Sequence, residues 1–172
     1  MKSLFTLKNT QRALLAAGLI VASAGAFAAA ATTTFQVTAN VAAQCNVTAA
    51  DLGFGAVDPL GGNVDQTTTI TVKCTKNSAY TVGLNAGTTT GATIAQRLMA
   101  NGADTMDYNL YKEVGHSNVW GNSAVSPSWV AGTGAGLGTA QVLTVFGRVP
   151  SGQTNLAVGS YTETAVTVTV TY

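Results

Sequence analysis

A hydrophobic period of two runs through this chain from residue 35 to the final residue, and it restricts the fold to one built from strands. Phe35, Val37, Ala39 and Val41 fall on one side of an extended segment, with Gln36, Thr38 and Asn40 on the other. The alternation returns at Ile70, Val72 and Cys74 and again at Tyr80, Val82 and Leu84, in stretches rich in Thr and Val that suit a half-buried pleat. MDYNLY at 106–111, VLTVFGRV at 142–149 and VTVTVTY at 166–172 complete the set. Turn signals separate them: Asp58-Pro59 with Gly61 and Gly62, residues 85–91, Asn101-Gly102, and the glycine-rich run 132–138. Residues 94–99 carry a short helical spacing that is equally well a strand. Together these elements predict an all-β sandwich of about six strands.

Length allows one domain of ordinary size, because 172 residues that are 47% apolar can build a real core. Only 9% of residues are charged. Lys2, Lys8 and Arg12 lie in the first dozen, and without them five cations face seven acids, about −2. Nucleic acid is therefore no partner, since binding it requires clustered Lys and Arg to displace counterions from phosphates. One histidine and two cysteines leave few routes to a transition-metal site, and nothing in the sequence calls for a cofactor.

Residues 1–28 read as a signal peptide. The three cations form its n-region, residues 13–25 are apolar but dominated by Ala and Gly, and Ala26 and Ala28 offer the small side chains a signal peptidase reads. A membrane anchor needs a longer and more strongly apolar run. Export to an oxidising compartment would join Cys45 and Cys74, the only pair. The alternative, a reactive thiol, has only Lys73 beside Cys74 to support it.

The two ends of the mature chain are complementary. Val166, Val168, Val170 and Tyr172 face one way at the C-terminus and Thr167, Thr169 and Thr171 the other, with no Lys, Pro or bulge signal to blunt the edge between 162 and 172. At the other end, residues 29–43 precede the first cysteine and lack a turn signal that would make them half of a hairpin. They read as a free arm, leaving 44–172 as the folded domain. Residues 35–41 span about 20 Å when extended, the length of one ordinary strand. An apolar-faced arm and an open apolar edge allow one molecule to complete the next, and such a head-to-tail contact generates a fibre.

The spacing Phe35-x-Val37-x-x-x-Val41-x-x-x-Cys45-x-Val47 is followed by Leu52-x-Phe54-Gly55, Asp58-Pro59, Val72-x-Cys74, Tyr108-Asn109-Leu110-Tyr111 and Val119-Trp120-Gly121. Val145-Phe146-Gly147-Arg148-Val149-Pro150 comes next, then Gly159, Tyr161, Glu163 and the terminal Val166, Val168, Val170 and Tyr172. In this order and over nearly the whole mature chain, the pattern resembles the spore coat protein U domain family, which includes the pilins of archaic chaperone-usher pili. The resemblance implies an incomplete immunoglobulin-like sandwich lacking its last strand, with Cys45 and Cys74 disulfide-linked. It implies that a periplasmic chaperone lends the missing strand and that an outer-membrane usher exchanges it for the arm of an incoming copy, giving a homopolymer at the cell surface that serves adhesion and biofilm formation. A tip adhesin is a further implied partner. Carried over by position, Phe35, Val37, Ala39 and Val41 are the donor-strand residues. Gly159, Tyr161, Val166, Val168, Val170 and Tyr172 edge the acceptor groove. Tyr172 stands last, where better-known pilins place an aromatic second from last, and the small Ala39 implies a shallow pocket.

Remaining candidates have plainer explanations. Trp120 and Trp129 suit core or loop packing better than sugar stacking. Asp51, Asp58 and Asp65 have no calcium-loop spacing and suit surface turns. His116, with Ser117 and nearby Asp107, is the only hint of a hydrolase, and no Gly-x-Ser-x-Gly elbow accompanies it, so a solvated loop histidine and no enzyme are expected. Two further functions remain open: a secreted coat or matrix protein of the same family without an usher, and a carbohydrate-binding tip module.

Overall fold

The computed structural model describes residues 28–172. The signal peptide expected at 1–28 therefore lies outside the described residues except for Ala28. The chain divides into two units, Met1–Ala39 and Asn40–Tyr172. In the first, the described residues 28–39 form no strand, and Phe35 and Val37 are 85% and 80% exposed.

The second unit is a two-sheet sandwich of eight strands: β1 (Cys45–Ala49), β2 (Val64–Cys74), β3 (Ala79–Leu84), β4 (Arg97–Asn101), β5 (Asp104–Tyr111), β6 (Val130–Thr133), β7 (Gln141–Val149) and β8 (Val168–Thr171). All neighbours are antiparallel. One sheet has the order β1-β2-β7-β5-β4, and the other β6-β3-β8. Ile70, Val72 and Cys74 from β2, Val145 and Val149 from β7, and Met106, Tyr108 and Leu110 from β5 face inward. Tyr80, Val82 and Leu84 of β3 meet them from the smaller sheet. Each set is spaced by two, so the alternation in the sequence is the alternation between core and outside.

Eight strands replace the expected six: residues 35–41 form no strand, and the three strands beyond the remaining five have local causes. β1 is short and mostly exposed, so it carries little apolar signal. β4 begins with a fully buried arginine, Arg97, which breaks the expected polar-out pattern. β6 contains Gly132 from the glycine-rich run, which had the appearance of a turn. The Asn101-Gly102 turn joins β4 to β5 as expected. At Asp58 the main-chain oxygen accepts from Gly61 N and Oδ1 accepts from Leu60 N, closing the Asp58-Pro59 turn.

Two devices fix the frame. Cys45 and Cys74 are direct cross-strand partners in β1 and β2 and form a disulfide, tying the edge strand to the sheet. Arg97 sits inside with its guanidinium saturated: Nη1 donates to Asn109 Oδ1 at 2.6 Å, Nη2 to the carbonyls of Trp120 (2.7 Å) and Leu84 (3.2 Å), and Nε to that of Asn85 (2.8 Å). Burial pulls its pKa down to about 10, so it stays charged at neutral pH, stitching both sheets together.

Candidate assembly cleft

The smaller sheet does not cover the whole inner face of the larger one. Beyond Leu84 and Val168, where β3 ends and β8 begins, two irregular segments cross the core instead. Between them lies a cleft of about 1110 Å³. Its floor is the inner face of the large sheet, with Ile70, Val145, Met106, Tyr108 and Leu110. One wall is residues 49–57 and the other residues 156–166.

The first wall continues directly from β1. Ala50 N donates to Thr69 O at 3.0 Å, and Thr68 Oγ1 donates to the carbonyls of Ala50 and Asp51. Leu52 and Phe54 then turn inward onto Gly147 of β7, where a Cβ would overlap both side chains. Phe54 meets Tyr108 edge-on, with ring centroids 6.1 Å apart. Absence of a side chain at 147 is what lets this wall descend onto the floor.

The second wall hangs from β4. Ala100 and Thr162 exchange both main-chain hydrogen bonds, at 2.9 and 3.0 Å. Gly159, with φ near 151°, packs so closely on the Asn101 amide that a Cβ there would displace that side chain. Glu163 then pins the wall to the loop after β3. Its carboxylate accepts from the N–H and hydroxyl of both Thr88 and Thr89 and from Ala165 N, at 2.8 to 3.0 Å. Burial opposes ionisation there, but these donors outweigh it and hold the carboxyl down at about 2.

Among the described residues no backbone hydrogen bond joins the two walls. Main-chain groups of both walls thus stand either side of an apolar floor with no strand between them, an arrangement that favours an extended apolar segment as occupant.

Four of the groove residues expected from sequence, Gly159, Tyr161, Val166 and Val168, line this cleft. Val170 packs against the core farther along β8, and Tyr172 is 55% exposed; neither lines the cleft. β8 pairs on one side only, with β3, and its valines face in while Thr169 and Thr171 face out. Of the arm residues Phe35, Val37, Ala39 and Val41, the three larger ones are 79% to 85% exposed.

Other candidates resolve into structure. Trp120 is buried and its indole Nε1 donates to Val82 O at 2.8 Å, so it offers no face to a sugar. Trp129 is half-buried. Asp58 caps its turn, and Asp65 receives both arms of the Arg148 guanidinium at 2.6 Å. His116 corrects the expectation of a solvated loop residue. Its side chain is 4% exposed, edge-on to Tyr111 with centroids 5.0 Å apart and 3.7 Å from Asp65 Oδ1. Asp107 instead accepts from Gln96 Nε2 at 2.9 Å.

The model of the Spore Coat Protein U domain matches residues 31–171. The chain belongs to this family. Among solved structures it is similar to a chain of the CsuC-CsuE chaperone-tip adhesion subunit pre-assembly complex from archaic chaperone-usher Csu pili of Acinetobacter baumannii, at 23% identity with a TM-score of 0.53. That match covers 77% of this chain and 40% of the other, and shows that the family's sandwich here has the immunoglobulin-like fold seen in that complex. A search of curated proteins gives no match.

Proposed function

We propose that this protein is a pilin-type structural subunit of a secreted surface fibre, exported through the periplasm and polymerised head-to-tail by donor-strand exchange. The supporting observation is the unfilled apolar cleft between residues 49–57 and 156–166, in a chain whose residues 35–41 carry large apolar side chains in solvent at strand spacing. Both are unfavourable in an isolated molecule, and each relieves the other. Burying Phe35, Val37 and Val41 contributes roughly 5 kcal/mol, a large share of a domain's stability, before ladder hydrogen bonds are added. Assembly is then the last step of folding and requires no nucleotide and no catalytic residue. A periplasmic chaperone holding the cleft until export, and an outer-membrane usher exchanging it for the arm, complete the scheme. The Csu complex, in which a chaperone and a tip subunit meet before assembly, agrees with it. In the fibre the protein serves adhesion and biofilm formation.

Coexpression with chaperone and usher tests this reading. Full-length protein should give surface fibres, and deletion of residues 29–41 should leave a chaperone-bound subunit that never polymerises. Fibres at normal yield after that deletion would reject it. The family's name favours a second reading, a coat or matrix protein using the same arm and cleft without an usher, and polymers formed with the usher absent would select it.

A further inference from the structure

The charges that the fold leaves unpaired stand at its opposite ends. Of the cations among the described residues, three are engaged within the molecule: Arg97 is buried, Arg148 grips Asp65, and Lys112 donates to Ser128 Oγ at 2.7 Å. The other two, Lys73 and Lys76, have no ion-pair partner among the described residues. They flank Thr75, whose N–H donates to Gln44 O at 2.8 Å and whose hydroxyl accepts from Gln44 N at 3.0 Å. Both lysines therefore stand where the arm joins the domain.

Acids occupy the other end. Lys73 lies next to the last residue of β2, whose 11 residues span about 35 Å. Asp58 precedes the first residue of that strand, and the antiparallel ladders of β2 and β5 with β7 bring the β4–β5 turn, with Asp104, to the same end. Both carboxylates are exposed and without an ion pair among the described residues. The cleft reaches this end through Pro59, which follows Asp58, and through Gly159, which packs on Asn101 at the base of the turn. No Lys or Arg occurs in residues 49–63, 98–111 or 149–172, so the mouth of the cleft is acidic with no cation to offset it.

Toward Leu84 and Val168 the cleft closes under β3 and β8, so a second copy whose arm fills it stands at the Pro59 end. Residues 42–44 bridge at most about 10 Å between a seated Val41 and β1, which brings that copy's Thr75 turn close enough for extended lysines to meet the acids. We infer that Lys73 and Lys76 of each incoming copy face Asp58 and Asp104 of the copy that receives its arm, and that these unlike ends steer the two into head-to-tail contact. This rests on the proposed donor-strand reading and adds to it how growth acquires a direction: like ends repel and unlike ends attract. The ends lie farther apart than the Debye length of about 8 Å at physiological salt, so each acts on a neighbour independently. Exposed ion pairs add little affinity because water screens them, whereas complementary fields accelerate encounter, so the effect falls on the rate of growth.

Fibre growth from the full-length protein, followed by light scattering, should slow about tenfold between about 20 mM and about 500 mM NaCl. Lys73→Glu with Lys76→Glu should slow it about tenfold at the lower salt and hardly at the higher. Asp58→Lys with Asp104→Lys should act likewise, and joining both reversals in one chain should restore growth, a rescue that damage to the fold would not give. Asp104→Lys alone, which breaks no hydrogen bond of the domain, should recover part of the rate lost by the lysine reversals. Growth indifferent to salt, or reversals that fail to rescue one another, overturns the steering and leaves donor-strand exchange intact. Growth that survives deletion of residues 29–41 overturns the donor-strand reading itself.

Discussion

Replacing Glu163 with Gln should loosen one wall of the cleft in a way that depends on pH. The carboxylate accepts five hydrogen bonds from Thr88, Thr89 and Ala165 and is their only acceptor on this wall. Although burial alone would raise the pKa, the donors bring it from the ordinary 4.5 to about 2. A depressed carboxyl contributes stability that is fully present above its unfolded value and is lost as pH falls through its folded value, so the relevant window runs from pH 4.5 down to about 2. A shift of this size corresponds to about 3 kcal/mol, or about 2 kcal/mol after discounting for the solvent that reaches the side chain. Glutamine keeps the shape but turns an N–H₂ toward N–H donors. Thermal unfolding of the full-length subunit followed by circular dichroism should show Glu163→Gln roughly 6 °C below wild type at pH 7. The gap should close steadily between pH 4.5 and 2, where wild type is protonated as well. A gap that stays constant across that window, or no gap at pH 7, would refute the role assigned to this carboxylate.

Arg97→Met should be among the most destabilising single changes, at about 3 kcal/mol or more in urea unfolding, because it strands the buried acceptors of Leu84, Asn109 and Trp120. A loss under 1 kcal/mol would mean that these groups find other partners. Cys45→Ser with Cys74→Ser opens a loop of 29-residue separation and should cost about 3 to 4 kcal/mol in the chain-entropy model, measured against the oxidised protein in the same assay. Val168→Asp places a charge where β8 meets the end of the cleft and should abolish copurification with the chaperone while the disulfide still forms; unchanged copurification would remove Val168 from the binding surface.

Much of this fold is visible in the sequence because each inward residue of β2, β3, β5 and β7 differs from its outward neighbour. Ile70, Val72 and Cys74 against Thr69, Thr71 and Lys73 is the clearest case. β4 is obscured because its buried side chain is a charged one, Arg97, whose acceptors come from residues scattered between 84 and 120. β6 is obscured by glycine. Leu52, Phe54 and Gly55, and the run through Tyr108 and Leu110, stand in the sequence as parts of the family pattern, but nothing there marks them as a wall and a floor. That these segments meet in a cleft depends on Gly147 lacking a side chain and on Glu163 reaching residues 74 and 75 positions away. No local pattern encodes either fact. The outer half of the expected groove edge misses the cleft because Val170 lies farther along β8, beside Val82 and packed on the closed part of the core, and Tyr172 lies beyond the strand's end.

Mixing two defective full-length chains asks most directly whether a neighbour fills the gap. Val37→Asp spoils the arm and leaves the cleft, whereas Val168→Asp spoils the cleft and leaves the arm. Native mass spectrometry should find each alone monomeric or bound to its chaperone, and the mixture should yield a heterodimer in which one arm is engaged and growth stops. Polymers formed by either chain alone, or a mixture holding only monomers, would contradict the account.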